Sequence, residues 1–169
     1  MKKKIAIIAL GKPNSGKSTT WYTIFGRKIR TGWKKLKLNS IEKTIFVKNS
    51  SFEEMGKEID IKIFVRNASF EEYGDNIESS KISNLKPNIV FCSVQYTKKG
   101  LKTIDWFKKN DYYLYIQWLN PGYKQKTIYS DNLNFEKQFS NYGEFHKVSG
   151  KETTERVKNI LNFLNNVAK

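Results

Sequence analysis

The stretch that decides the fold lies near the start of the chain: residues 4–10 read Lys-Ile-Ala-Ile-Ile-Ala-Leu, and residues 11–19 read Gly-Lys-Pro-Asn-Ser-Gly-Lys-Ser-Thr. The apolar run predicts a buried β-strand. The glycines then predict a loop, which leads into a predicted helix from Lys17 to about Lys28. The sequence therefore predicts a strand, a tight loop and a helix in immediate succession.

The loop has the spacing G-x-x-x-x-G-K-[ST], in which each fixed residue type suits phosphate binding. Gly11 and Gly16 let backbone N–H groups approach an anion closely, because they carry no Cβ. Lys17 would supply a cation to the β- and γ-phosphates, Ser18 a hydroxyl ligand for Mg²⁺, and the helix N-terminus a partial positive charge. We therefore predict a nucleotide-phosphate site formed by Gly11, Lys12, Pro13, Asn14, Ser15, Gly16, Lys17, Ser18 and Thr19.

This spacing is the Walker A motif, and through it the chain resembles the P-loop NTPase superfamily. The resemblance implies a three-layer α/β domain with a mainly parallel sheet, and ATP or another NTP as ligand together with Mg²⁺. The loop is also similar to the first motif of small GTPases, but their Asp-x-x-Gly and Asn/Thr-Lys-x-Asp motifs do not occur in this sequence, so guanine specificity has no support. Lys12 stands where partition-type ATPases keep a second signature lysine; the alternative is an ordinary loop residue.

The composition excludes several other classes of protein. The chain has 169 residues, enough for one domain (residues 1–169) with a single core. Its one cysteine, Cys92, excludes an intrachain disulfide framework and a cysteine-cluster metal site. No apolar stretch approaches the roughly 20 residues of a membrane helix. We therefore expect no transmembrane segment and a cytoplasmic, reducing location.

The positive charge is concentrated at one end of the chain. The first 48 residues hold 13 basic side chains and one acidic side chain, so they carry +12 of the net +15. Six of these basic residues surround Trp33 in a segment that begins at Arg27 and ends at Lys37, here called the basic segment (residues 27–37). This pattern suits nucleic acid or a phosphorylated acceptor, and the alternative is a solvated loop with Trp33 in the core. A nucleic-acid or protein partner for the basic segment is therefore a hypothesis.

Residues 45–59 and 63–77 form an internal repeat with a period of 18, and ten of the fifteen aligned positions are identical. In each copy an apolar run is followed by Ser51 or Ser69, which stands three residues before a glutamate, the spacing of a capping box. Each copy thus predicts a strand, a turn and a short helix. Eighteen residues are short for a crossover between parallel strands, so we expect one copy in the sheet and the other at an edge or antiparallel.

Polar residues at the ends of these predicted strands are candidates for chemistry, because the carboxyl ends of parallel strands face the ligand crevice. The repeat supplies Asn49, Asn67, Glu53 and Glu71, and the acid between its copies is Asp60. The alternative interpretation is that they are helix caps and solvated acids. Gln95 ends a further predicted strand (residues 88–95), where a P-loop enzyme often carries the aspartate that holds the Mg²⁺ shell.

No apolar run in the sequence ends cleanly in Asp or Glu. Either the metal is held through Ser18 and a less regular acid such as Glu53, Glu71 or Asp60, or hydrolysis is weak. Gln95 is a candidate for orienting a water molecule. The catalytic candidates are therefore Lys17, Glu53, Glu71 and Gln95.

The second half of the chain continues the alternation. It predicts an amphipathic helix around Leu101, Ile104 and Phe107, a strand at Tyr112–Leu119 and a last strand at residues 144–148, in which His146 is structural. A basic, aromatic loop (residues 120–126) would cover a base or bring Lys124 and Lys126 to phosphates, or else be an ordinary surface loop. The final helix, with a capping box from Ser149 to Glu152, has an apolar stripe of Val157, Ile160, Leu161, Leu164 and Val167.

Three functions remain open at this point. The first is an NTPase, most simply of ATP, whose nucleotide state controls contact with nucleic acid or a protein partner. The second is a small-molecule kinase of the nucleoside or nucleotide type, although no arginine lies between Gly100 and Gly150 to serve a lid. The third is a nucleotide-binding module that does not hydrolyse its ligand.

Overall fold

The computed structural model describes residues 4–25, 63–73, 77–78 and 80–167, together with short strands between residues 32 and 60. The described strands are β1 (Lys4–Gly11), β2 (Gly32–Trp33), β3 (Lys37–Asn39), β4 (Thr44–Lys48), β5 (Ser51–Glu54), β6 (Lys57–Asp60), β7 (Ile63–Arg66), β8 (Ile89–Gln95), β9 (Tyr112–Leu119) and β10 (Gly143–Val148). The described helices are α1 (Lys17–Phe25), α2 (Lys81–Leu85), α3 (Lys98–Lys109), α4 (Phe135–Phe139) and α5 (Thr153–Val167). Short 3-10 turns lie at Phe70–Tyr73 and Ser140–Tyr142.

The main sheet has the strand order β10-β9-β1-β8-β7-β2. Its first five strands are parallel, and β2 at the edge is antiparallel to β7. β1 lies in the middle, hydrogen-bonded to β8 on one side and to β9 on the other. The loop that follows β1 therefore starts at the centre of the carboxyl edge of the sheet.

Helices cover both faces of this sheet, which explains why β1 reads as one apolar run. Its alternate residues Ala6, Ile8 and Leu10 pack in a core that includes Ile104 and Phe107 of α3 and Phe135 and Phe139 of α4. The intervening residues Ile5, Ile7 and Ala9 pack in a second core, with Trp21 of α1 and Ile160, Phe163 and Leu164 of α5. The predicted α/β class, with a mainly parallel sheet between helical layers, is confirmed.

The two copies of the repeat adopt different structures. The second copy forms β7 of the parallel sheet and then the 3-10 turn at Phe70–Tyr73. The first copy contributes β4 and β5 to a separate antiparallel sheet of order β3-β4-β5-β6. The prediction of a short helix was therefore wrong for the first copy, where Ser51–Glu54 is a strand. The expectation that only one copy joins the parallel sheet is confirmed.

The predicted capping boxes also differ from the structure. Ser69 is fully buried, and its Oγ has no hydrogen-bond partner among the described residues, so it does not cap the turn that follows. Ser149 Oγ accepts from the N–H of Lys151 at 3.2 Å, and α5 begins only at Thr153. The reason at Ser149 is tertiary: Gly150 donates its N–H to the Pro121 carbonyl at 2.8 Å, which holds the chain in a turn before the helix can start.

The other sequence boundaries agree closely with the structure. Tyr112–Leu119 is a strand, as predicted, and Ile104 and Phe107 of α3 are buried. α1 is described as far as Phe25, and the predicted extension to Lys28 lies outside the described residues. Of the basic segment, the structure describes β2, whose backbone pairs with β7, and Lys37 at the start of β3.

In the part of the chain that the structure describes, no helix is both long and apolar enough to cross a membrane.

Candidate phosphate-binding site

The loop between β1 and α1 (residues 11–16), here called the phosphate loop after the role that its sequence predicts, has a backbone that its own sequence favours. Asn14 has a φ of 59° and Gly16 a φ of 96°, in the left-handed region that asparagine and glycine tolerate best. A Cβ at Gly16 would also lie 3.0 Å from the Gly150 carbonyl oxygen. The helix then begins at Lys17, so the N–H groups of its first turn lie directly after the loop.

Lys17 folds back over this loop. Its side chain is buried, and Nζ donates to the carbonyl oxygens of Gly11 at 3.0 Å and Lys12 at 2.9 Å. These bonds fix the direction of the ammonium group, which reduces the side-chain entropy that binding an anion would otherwise cost. The cation is therefore held at the loop before any ligand arrives.

A cavity of about 270 Å³ opens at this point. Its walls combine the loop, the first residues of α1 and two residues from the loop after β9: Asn14, Ser15, Gly16, Lys17, Ser18, Thr19, Tyr123 and Lys124. Two lysines and the N-terminus of a nine-residue helix give this cavity a positive potential. The arrangement suits a phosphate group.

The loop is held by backbone contacts from two distant segments. Ser15 is almost fully buried, and its carbonyl accepts from the N–H of Tyr123 at 3.0 Å. A Cβ on Gly122 would lie 2.7 Å from Ser15 Cβ, and one on Gly150 would lie 2.4 Å from the Ser15 carbonyl oxygen. Gly122 and Gly150, here called the glycine pair, thus let the loops after β9 and β10 close against the phosphate loop.

Sequence reasoning did not identify the glycine pair as part of the site. Both glycines come shortly after the end of a parallel strand, at Pro121-Gly122 and Ser149-Gly150. Since β1, β9 and β10 are parallel and adjacent, their carboxyl ends meet at one edge. This common position was the available signal.

Arg156 is a second residue that the sequence did not point to. It lies on α5 with 1% of its surface exposed, and its Nη1 donates to the carbonyls of Ser149 and Gly150 at 2.9 and 2.7 Å. Nη2 donates to the Gly16 carbonyl at 3.3 Å and to Thr20 Oγ1 at 3.1 Å. Arg156 therefore ties the phosphate loop and α1 to the turn before α5.

The guanidinium of Arg156 also adds positive charge behind the loop. Burial lowers its pKa to about 10, which still leaves it protonated at neutral pH. The sequence signal was its position four residues before Ile160, within the buried stripe of α5, where a charged residue needs several hydrogen-bond partners.

Two of the predicted catalytic residues meet at the end of β8. Gln95 is the register partner of Gly11, so it lies beside the start of the phosphate loop. Glu71 Oε2 accepts from the N–H of Gln95 at 3.1 Å, and Glu71 Oε1 accepts from Thr103 Oγ1 at 2.7 Å. The carboxylate thus joins the second copy of the repeat to β8 and α3.

The structure places three other candidates away from the end of β8, namely Glu53, Asp60 and Asn67. Glu53 is in β5 and Asp60 in β6, so both belong to the antiparallel sheet. Asn67 follows β7 and donates through Nδ2 to the hydroxyl of Tyr22 on α1, at 3.1 Å. Asn49 lies outside the described residues.

Three further side chains were singled out by the sequence. Lys12 is exposed, and its Nζ lies over the ring of Tyr129, 3.9 Å from the centroid. Lys126 is exposed on the loop after β9. His146 lies on the edge strand β10, where its Nε2 is 2.9 Å from Glu144 Oε2.

The residues at the cavity fit a magnesium ion that arrives with its ligand. Ser18 lines the cavity and offers a hydroxyl oxygen, a ligand type that Mg²⁺ accepts. Among the residues that the structure describes, no three or more His, Cys, Asp or Glu side chains gather into a metal site. Because Mg²⁺ usually keeps several waters and binds through one or two protein groups plus phosphates, such a cage is not required.

No protein-family model matches this chain, and comparison with curated proteins likewise finds no match.

Proposed function

We propose that this chain is a P-loop protein that binds a nucleoside triphosphate, most simply ATP, together with Mg²⁺. The observation that carries the proposal is the cavity at the start of α1, which is lined by residues 14–19 of the Walker A pattern. Lys17 and the helix N-terminus would bind the phosphates, and Ser18 would bind the metal. Mg²⁺, when bound, would neutralise part of the charge on the phosphate oxygens.

The nucleotide state would control a partner through α1. This helix begins at Lys17 in the site, and its described end at Phe25 precedes the basic segment by one residue. In this proposal, a change at the loop would be transmitted along α1 toward residues 27–37. The six basic side chains of that segment favour an anionic partner, such as nucleic acid or an acidic protein surface.

Titration calorimetry with ATP and Mg²⁺ tests the premise, using Lys17→Ala and, as a matched control, Lys12→Ala from the same loop. Lys17→Ala should weaken binding by about 10- to 100-fold, because it removes a charge-assisted contact to phosphate. Lys12→Ala should change the affinity by less than about twofold, because its ammonium lies over Tyr129 rather than on the cavity wall.

Circular dichroism of both variants shows whether they are folded. Equal affinity for the wild type and a folded Lys17→Ala variant would refute the proposed site. An equal loss in both variants would mean that the effect of Lys17 is only one of general positive charge.

A second candidate function, nucleotide binding without turnover, is favoured by one observation. β8 ends in Gln95 rather than an acid, and both carboxylate oxygens of Glu71 beside it accept hydrogen bonds from the protein. Hydrolysis needs a water aligned with the γ-phosphate, for which Gln95 is the described side chain next to the loop on the neighbouring strand. Of the acidic candidates, Glu71 contacts the end of β8, whereas Glu53 and Asp60 lie in the antiparallel sheet.

Phosphate release from ATP, measured with and without DNA or RNA, separates these functions. Release that nucleic acid stimulates supports the switching NTPase. Tight binding without release supports the binding module. ADP formation that requires an added nucleoside or nucleoside monophosphate would instead support the kinase alternative.

A further inference from the structure

Tyr123 has a backbone that is held in place and an aromatic ring that is exposed to solvent. Its N–H donates to the Ser15 carbonyl at 3.0 Å, and the preceding residue belongs to the glycine pair, so the backbone at Tyr123 is held against the phosphate loop. The side chain is nevertheless 54% exposed, and it lines the cavity. Within the described part of the chain, no ring contact involves Tyr123.

Among the Phe, Trp and Tyr residues whose burial is described, three side chains are exposed, those of Tyr22, Tyr123 and Tyr142. The rings of Trp21, Trp118, Phe91 and Phe135 are buried in the core. Tyr22 and Tyr142 are also exposed, but the hydroxyl of Tyr22 accepts from Asn67, and the ammonium of Lys108 lies over the ring of Tyr142. The ring of Tyr123 stays available beside a phosphate site, which is the arrangement of a platform for a planar group.

The size of the cavity indicates that the ribose and base of a bound nucleotide would lie near the Tyr123 ring. A volume of about 270 Å³ is below the roughly 300–1,000 Å³ of pockets that enclose a drug-sized ligand. The enclosed part therefore suits the phosphates, whose partners are residues 14–19. With the phosphates at residues 14–19, the ribose and base would lie at the rim, where the exposed side chains of Tyr123 and Lys124 are the described neighbours.

A rim of this kind favours stacking over hydrogen-bonded readout. A purine or pyrimidine stacks on an aromatic ring whatever its edge groups, because every base has a π-face. Strong discrimination between bases requires buried donors or acceptors that the wrong base leaves unpaired. At an exposed rim, water satisfies the edge of either base, and no such penalty arises.

We propose that Tyr123 is a stacking platform for the base of the bound nucleotide, and that the site accepts adenine, guanine and pyrimidine nucleotides with similar affinity. This inference rests on the proposed function, since it assumes that phosphates occupy the loop. It extends that function by naming the ligand class: nucleoside triphosphates without base selectivity.

The test compares the wild type with Tyr123→Ala, Tyr123→Phe and, as a surface control from the same loop, Ile128→Ala, which alters a side chain that is 76% exposed. Calorimetry with Mg²⁺ measures the affinity for ATP, GTP, CTP and inorganic tripolyphosphate, which has no base. Tyr123→Ala should weaken all three nucleotides by about 10-fold, as expected for one lost stacking contact. It should leave tripolyphosphate within about twofold, because the backbone N–H at position 123 remains.

Tyr123→Phe keeps the ring and should bind nucleotides like the wild type, as should Ile128→Ala. An unchanged affinity of Tyr123→Ala for nucleotides would overturn the platform. An equal loss of affinity for tripolyphosphate would also overturn the platform, because the ring would then affect binding through the shape of the phosphate loop. If the wild type prefers one base by more than about 30-fold, the proposal that the site does not select between bases is wrong. If the wild type binds neither tripolyphosphate nor any nucleotide, the proposed function itself is rejected.

Discussion

The ends of β1 and β8 lie side by side, since Gly11 is the register partner of Gln95, yet they are organised in different ways. The end of β1 leads into residues 11–19, which contain two lysines and no acid, and it is closed by backbone contacts from later loops. The end of β8 is held by a carboxylate, that of Glu71.

This difference indicates that anion binding and structural support are handled by different strand ends at one edge of the sheet. A carboxylate placed in the loop would repel phosphate and compete for Lys17. The loop is instead held by close glycine contacts and by the guanidinium of Arg156, which donates to the Gly16 carbonyl. Beside it, Glu71 fixes β8 to α3 with an acid. The comparison predicts that changes on the β1 side alter both stability and anion binding, whereas changes on the β8 side alter mainly stability.

The largest effect is expected for Arg156→Met, which keeps the length of the side chain and removes its donors. The carbonyls of Gly16, Ser149 and Gly150 would lose a buried partner, so the free energy of unfolding should fall by about 3 kcal/mol. ATP affinity should fall as well, because the loop loses its link to the turn before α5. Urea unfolding, followed by tryptophan fluorescence, and calorimetry measure the two quantities.

Arg156→Lys is the matched variant, because it retains the charge but not the planar set of donors. It should lie between the wild type and Arg156→Met in stability. If Arg156→Met unfolds at the same urea concentration as the wild type, the hydrogen bonds of Arg156 do not hold the loop.

A smaller loss is expected for Gly150→Ala. Its Cβ would lie 2.4 Å from both the Ser15 carbonyl oxygen and the Tyr123 nitrogen, and these backbone atoms can move away only if the phosphate loop shifts. The free energy of unfolding should fall by about 2 kcal/mol, with weaker tripolyphosphate binding. Lys151→Ala, which shortens the exposed neighbouring side chain, serves as the control and should stay within about 0.5 kcal/mol. Normal anion binding by Gly150→Ala would show that the glycine pair is not needed for the shape of the loop.

The smallest effect is expected for Glu71→Gln, on the β8 side. The amide keeps one acceptor oxygen but places an NH₂ group against one of the present donors, so stability should fall by about 1 kcal/mol. ATP affinity should remain within about twofold. Thr103→Val is the matched variant, because it removes one of the same hydrogen bonds and leaves the carboxylate.

The pair of variants decides what Glu71 does. If Glu71→Gln weakens binding of ATP with Mg²⁺ tenfold and Thr103→Val does not, the carboxylate belongs to the metal shell, and the proposed division between the two strand ends is wrong. Calorimetry at two Mg²⁺ concentrations makes that distinction.

Features that depend only on residues close together in the sequence could be predicted. The apolar run of β1 and the helical spacing of the apolar residues in α3 are local patterns. The strand Tyr112–Leu119 has the predicted bounds. The order of elements, with strands and helices alternating after the loop, was enough to predict a parallel sheet between helices. The position of Gln95 beside the loop also followed from this order, since it ends a parallel strand.

The repeat shows where such reasoning fails. Ser51–Glu54 and the segment from Ser69 onward have nearly the same sequence, yet the first is a strand and the second leads into a 3-10 turn. A local pattern of this length has too small a preference to decide its own conformation. Whether the strand before it pairs with β8 or with an antiparallel neighbour decides instead, and that pairing is a long-range property.

The sequence by itself determined the strand–loop–helix unit at residues 4–25, because the strand, the turn residues Asn14 and Gly16, and the start of α1 lie within one short stretch and need no distant partner to be recognised. Only the tertiary structure decided what surrounds that loop. Gly122, Gly150 and Arg156 are more than 100 residues away from it, and they reach Ser15 and Gly16 because β1, β9 and β10 are parallel and end at one edge of the sheet. The spacing of these residues in the sequence does not predict that they meet, because the common edge forms only when the strands pair.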